Sequence, residues 1–162
     1  MSSNSQSDRQ SFQALYATIT VDFTQRWVRT DFHDRLSCAG TRPDNADNRR
    51  EAEDQGYDGA DAVWYSLLDH EVLHTLISEW LFDAPSPALR TATAALDRPA
   101  PYYLRLEEES IVLSFQRWLN TGECPHALSH YRNELPAWRD AFYEAMAALG
   151  DSRYTNQPSQ QA

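Results

Sequence analysis

The segment His70-Glu71-Val72-Leu73-His74 carries an H-E-x-x-H pattern, in which residue type and spacing suit metal chemistry. Residues four apart in a helix lie one turn apart on the same face, so both imidazoles could reach one ion. Glu71 would lie beside that face, where its carboxylate could take a proton from a metal-bound water. The pattern therefore predicts His70 and His74 as metal ligands and Glu71 as the general base.

The residues around this pattern predict a helix over 59–82 that ends before Ala84-Pro85. Both histidines belong to an apolar stripe at helical spacing, which consists of Val63, Leu67, His70, His74, Ile77 and Leu81. Two imidazoles that face a core each need a polar partner, and a single metal ion would satisfy both. The alternative is a pair of structural histidines that are hydrogen-bonded within the core.

A third ligand is predicted on a second helix, over residues 102–120. Its apolar stripe, Leu104, Ile111, Phe115 and Leu119, is interrupted by Glu108. A carboxylate directed into a core is costly unless it meets a cation, so Glu108 is the predicted ligand. Glu107 is the alternative register, and Glu107 and Glu109 are expected to face solvent more than Glu108. The competing interpretation pairs Glu108 with an arginine, namely Arg26, Arg105 or Arg117.

Four further side chains are candidates for an auxiliary role. Tyr102 and Tyr103 precede the second helix, and His126 and His130 follow it. Any of them could stabilise the charge that develops on a reacting carbonyl. His126 and His130, together with Cys124, could instead form a second metal site or simply be solvated surface residues.

The two helices together resemble those of a known enzyme family. The sequence HEVLH, followed some thirty residues later by EEESIVLSF, is similar to the small gluzincin metallopeptidases (minigluzincins), notably the compact peptidases that act on phage-type repressors. The resemblance covers about residues 64–119. It implies a zinc peptidase with His70, His74 and Glu108 as ligands, Glu71 as general base and a peptide or protein as substrate.

Composition excludes other chemistries. The chain has 24 acidic residues against 14 basic ones, all of them arginine, and a net charge of −10. Without lysine it can form neither a Schiff base nor a lysine-based phosphate loop, and its charge opposes nucleic-acid binding. Two alternatives to an enzyme stay open. One is a non-catalytic acidic protein that binds a partner, as a phage-type inhibitor or nucleic-acid mimic, and the other is a metal-binding scaffold without peptidase activity.

The expected fold is mainly α, a single helical domain with a possible small N-terminal strand element (α+β). Residues 12–29 fit both a helix and a strand, and their threonine-rich, β-branched centre favours a strand or a strand–helix pair. The predicted domain spans residues 10–149, with a long surface loop over 41–59 and disordered termini over 1–9 and 150–162. A short helix is predicted over 86–96, and a last one over 125–149, kinked or broken at Pro136.

The sequence also bears on the compartment. No apolar run is long enough to span a bilayer, and residues 1–10 lack the layout of a secretory signal. A cytoplasmic protein with reduced Cys38 and Cys124 is therefore expected.

Overall fold

The computed structural model describes residues 9–14, 17–32, 38–83 and 100–155, without the side chains of residues 32, 38–39, 78–83 and 100–108. It is mainly helical and has a small antiparallel sheet at the N-terminal side, which confirms the predicted fold class. The predicted helix over 86–96 lies outside the described residues. None of the described helices is long and apolar enough to cross a membrane.

Four strands form the sheet in the order β1-β2-β3-β4, and all neighbours are antiparallel. They are β1 (Arg9–Ala14), β2 (Ala17–Asp22), β3 (Trp27–Phe32) and β4 (Cys38–Gly40). Ile19 and Val21 are buried while Thr18 and Thr20 are partly exposed, the alternation that a half-buried strand requires. The described residues between 12 and 29 are thus in strands and a turn and not in a helix, and they belong to three strands where the sequence predicted one strand or a strand–helix pair.

The helices follow the sheet along the chain. They are α1 (Ala46–Asp54), α2 (Ala62–Asp83), α3 (Ala100–Thr121), a 3₁₀ helix (His126–Tyr131), α4 (Leu135–Ala148) and the short α5 (Ser152–Thr155). The last predicted helix is broken rather than kinked, and Pro136 lies in the first turn of α4, where its missing N–H is not needed.

The prediction of a surface loop over residues 41–59 is wrong in its centre, because α1 lies there. Asn45 caps this helix by accepting a hydrogen bond from the Asn48 amide at 2.9 Å. Arg49 of this helix forms an ion pair with Asp44 and donates a hydrogen bond to the Gly59 carbonyl. α1 buries only Ala52, so the segment has no apolar stripe by which a helix could be recognised.

Parts of the two ends for which disorder was predicted have regular secondary structure. Arg9 is the first residue of β1 and pairs with Asp22. Beyond residue 149, α5 packs on α4, where the Tyr154 ring stacks on the Tyr143 ring with centroids 5.0 Å apart. Residues 1–8 and 156–162 lie outside the described part.

The main hydrophobic core joins the inner face of the sheet to α2, α3 and α4, and a small second cluster beside α1 consists of Ala52, Tyr57 and Ala62. The largest fully buried side chains of the main core include Ile19 from β2, Leu68 and Leu73 from α2, Phe115 from α3 and Phe142 from α4. The packing of α2 against α3 within this core determines which side chains of the two helices meet.

Candidate metal site

The face of α2 that carries the histidines is oriented as predicted. Val63, Leu67 and Ile77 are buried, and the imidazoles of His70 and His74 are only 12% and 22% exposed. The two rings lie one helical turn apart with centroids separated by 4.6 Å. Both imidazoles therefore point to the same place between α2 and α3.

The ligand atoms of these histidines meet one carboxylate. Nε2 of His70 lies 3.1 Å from Nε2 of His74. Glu109 of α3 places Oε1 3.1 Å from the His70 nitrogen and Oε2 2.8 Å from the His74 nitrogen. Among the described residues, this is the group of three potential ligands whose atoms lie within 4.8 Å of one another.

Glu109 thus takes the place that was predicted for Glu108. The carboxylate is 56% exposed, as expected for Glu109, yet it reaches sideways to both imidazoles. The side chains of Glu108 and of the alternative, Glu107, lie outside the described part. Two of the arginines proposed as partners for Glu108 pair elsewhere, Arg26 with Asp61 and Arg117 with Glu123, and the Arg105 side chain is not described.

The separations between the three groups suit a tetrahedral metal ion. Ligand atoms bound at about 2.0–2.1 Å with tetrahedral angles are about 3.3 Å apart, close to the 3.1 Å between the imidazole nitrogens. Burial, and then the charge of His74, lowers the pKa of His70, so a second proton on this ring is disfavoured. The three groups thus present ligand atoms at separations that a single metal ion could bridge.

A chain of hydrogen bonds supports His70 from behind. Its Nδ1 lies 3.2 Å from Oε1 of Gln116, which is fully buried in α3. Nε2 of Gln116 contacts the Ser66 carbonyl at 3.1 Å and the Tyr57 hydroxyl at 3.0 Å. Tyr57 in turn donates to the buried carboxylate of Asp69 at 2.7 Å. The histidine is therefore held by groups from three parts of the chain.

Arg153 closes this chain from α5. Its guanidinium donates to Asp69 at 2.6 and 3.2 Å and to Asp151 at 2.7 Å, and it lies over the Tyr65 ring at 3.9 Å. Burial raises the pKa of Asp69 and of Tyr57, while the positive charge of Arg153 opposes both shifts. Two buried carboxylates thus share one cation at the back of the site.

The other predicted site residues are distributed differently. Glu71 is partly exposed on α2 next to His70 and does not belong to the three-ligand group. His126 and His130 are exposed on a 3₁₀ helix, which has three residues per turn, so positions four apart do not share a face. The side chains of Tyr102 and Tyr103 lie outside the described part, and Cys124 is a free thiol.

Sequence reasoning missed Gln116, Tyr57, Asp69 and Arg153. One signal was present, since Gln116 follows Glu109 by seven residues and Val112 by four, which places all three on one helical face. A second signal is the charge of Asp69, which directly precedes His70 in α2. Arg153 gave no signal, because Asp69, the carboxylate through which it contacts the site, is 84 residues away in the sequence.

We compared the chain with models of known protein families, with curated proteins and with solved structures, and none of the three comparisons found a match. Function is therefore inferred from the chemistry of the site itself.

Proposed function

We propose that this protein is a metal-dependent hydrolase of the HExxH class, most simply a small zinc metallopeptidase. The observation that carries the proposal is the convergence of two imidazole nitrogens and the Glu109 carboxylate within hydrogen-bond distance of one another. Such a His₂Glu donor set is typical of zinc in hydrolases.

The number of ligands favours a catalytic site over a structural one. Structural zinc sites are closed by four protein ligands, whereas catalytic sites use three and leave one position for water or substrate. The described residues supply three, from His70, His74 and Glu109. Glu109 is more than half exposed, so solvent reaches at least one side of the group.

Each side chain has a separate role in the proposed reaction. His70, His74 and Glu109 would hold the ion, which supplies Lewis acidity when bound. Glu71, outside the ligand group and adjacent to His70, would accept a proton from the attacking water and pass it to the leaving amine. The resemblance to minigluzincins agrees with this assignment, with Glu109 in place of Glu108 as the glutamate ligand.

The first test is metal content. We expect about one zinc per chain in wild-type protein after zinc titration and gel filtration, and loss of this zinc in His74→Ala and in Glu109→Gln. Glu108→Gln is the matched control, since it makes the same change from carboxylate to amide at the neighbouring position. Retention of zinc in Glu109→Gln with loss in Glu108→Gln would contradict the ligand set.

The second test is hydrolysis. Glu71→Gln should keep the zinc but abolish cleavage of a denatured protein substrate, detected by mass spectrometry of the products. Zinc binding without cleavage by the wild-type protein would favour the metal-binding scaffold. Wild-type protein that takes up no zinc would favour the acidic partner-binding protein, with His70 and His74 structural.

A further inference from the structure

The contacts behind His70 allow only one assignment of donors and acceptors, and the assignment begins with Gln116. The Ser66 carbonyl can only accept, so the Gln116 atom that lies 3.1 Å from it must be the amide nitrogen. The amide oxygen is then the atom that faces Nδ1 of His70 at 3.2 Å. Because this oxygen can only accept, the contact is a hydrogen bond only when Nδ1 carries the hydrogen. The Glu109 carboxylate near Nε2 is also an acceptor, but it is 56% exposed and water can satisfy it, whereas the Gln116 oxygen is buried.

The other end of this series of hydrogen bonds, at Arg153, requires the same donor and acceptor assignment. Arg153 can only donate, so both oxygens of Asp69 accept from it. The Tyr57 hydroxyl then donates its one hydrogen to Asp69 and accepts from the Gln116 nitrogen. Two independent anchors, a main-chain carbonyl and a guanidinium, thus select one orientation of the Gln116 amide.

The flipped amide would be penalised twice. Its oxygen would face the Ser66 carbonyl, and the single hydrogen of Tyr57 could lie towards that oxygen or towards Asp69, so one of these two contacts would join two oxygens with no hydrogen between them. Each of these groups is buried, where an unsatisfied acceptor has no water to replace its donor. The tautomer of His70 is therefore determined by the protein rather than by the ring.

We infer that Gln116 is a positioning residue that holds His70 in the tautomer with hydrogen on Nδ1, so that the lone pair of Nε2 is directed at Glu109 and His74. In the neutral imidazole only the unprotonated nitrogen can bind a metal. The consequence for metal binding rests on the proposed function, whereas the tautomer itself can be measured without any metal. Tyr57 and Asp69 act through Gln116 and contribute less directly.

The tautomer is tested by nitrogen-15 NMR of the histidine rings in chelator-treated protein at pH 8, where the two ring nitrogens have distinct shifts. His70, identified by the signals that His70→Gln removes, should carry hydrogen on Nδ1 in wild type. Gln116→Met, of similar shape but without hydrogen bonds, should give a mixture of tautomers or the other one. Gln116→Glu should retain the Nδ1 tautomer, because one carboxyl oxygen still accepts from the ring.

Zinc affinity, measured by competition with a chromophoric chelator, gives the functional readout. Gln116→Met should weaken binding by roughly 10–100-fold, the usual effect of losing such a supporting hydrogen bond. Gln116→Glu should bind zinc within a few-fold of wild type, although it opposes the Ser66 carbonyl and lowers the melting temperature. Asn120→Ala is the matched control, since it removes an amide one turn further along α3 that donates to the Gln55 carbonyl, away from His70. Its zinc affinity should not change.

The outcomes separate this inference from the proposed function. A wild-type His70 with hydrogen on Nε2 would overturn the inference, whether or not zinc binds and whether or not the variants fold. Zinc affinity in Gln116→Met equal to that of wild type would overturn it as well. A wild-type protein with the expected tautomer but no affinity for zinc would refute the proposed function and leave the positioning role of Gln116 intact.

Discussion

Replacement of Arg153 by methionine should lower the free energy of unfolding by about 3 kcal/mol, towards the lower end of the range for breaking a buried ion pair. The guanidinium contacts two carboxylates, and the Asp69 and Asp151 side chains are only 3% and 1% exposed. The lower end is expected because Asp69 keeps its hydrogen bond from Tyr57 and Arg153 itself is 23% exposed, so some water can replace it. Urea unfolding of chelator-treated protein measures the change.

Two further variants test whether the loss comes from the buried carboxylates. The double variant Asp69→Asn/Arg153→Met should lose at least about 1 kcal/mol less free energy of unfolding than the two single variants lose together, because no unpaired charge is left at position 69. Arg139→Met is the control, since Arg139 pairs with the exposed Asp140 and such pairs contribute about 0–1 kcal/mol. A loss in Arg153→Met no larger than in Arg139→Met would refute the reasoning, and so would strict additivity.

The loss should also depend on pH in a definite direction. Burial raises the pKa of Asp69 and Arg153 opposes this, so its removal should raise the folded-state pKa further above the unfolded value of about 3.9. Between these pKa values the native state binds more protons than the unfolded state, and the free energy of unfolding falls as pH rises. The difference between wild type and Arg153→Met should therefore be smaller at pH 5 than at pH 8. The opposite trend would show that Asp69 is not the group responsible.

Two other predictions concern the metal and the backbone. Zinc at 100 times its dissociation constant should add about 2.7 kcal/mol to the free energy of unfolding of wild-type protein, while His74→Ala should show no response in the same titration. Gly56→Ala should destabilise the protein by more than Gly59→Ala in thermal unfolding. Both glycines have φ near +90°, which costs an alanine about 1–2 kcal/mol, but only at Gly56 would the new Cβ lie 2.6 Å from the Asn120 Cβ. Equal losses at the two positions would contradict the proposed contact between this turn and α3.

The helices that carry the site could be predicted from sequence because their apolar periodicity is strong. α2 was expected over residues 59–82 and α3 over 102–120, and each boundary differs from the observed one by three residues or fewer. α1 could not be found in this way. It is stabilised by a cap and by side-chain contacts of Arg49, which leave no periodic apolar signal.

The glutamate ligand shows where periodicity ceases to be informative. Ile111 and Phe115 are buried as the stripe through Glu108 predicts, but Val112 and Gln116 are fully buried too. The buried face of α3 is thus centred between two stripes. One contains Glu108, Ile111 and Phe115, and the other contains Glu109, Val112 and Gln116. A periodic pattern gives the average direction of a face, whereas the choice between adjacent carboxylates depends on how α3 is rotated against α2. That rotation is a tertiary property.

The distance in sequence between Asp69 and Arg153 has a consequence for biosynthesis. The two residues are 84 positions apart, so at about 5–20 residues per second a ribosome adds Arg153 about 4–17 s after Asp69. During this interval α2 already carries both histidines, but the carboxylate next to them has not yet met its cation. The back of the site is therefore completed only after Arg153 has been added, seconds after the two histidines that it supports have been synthesised.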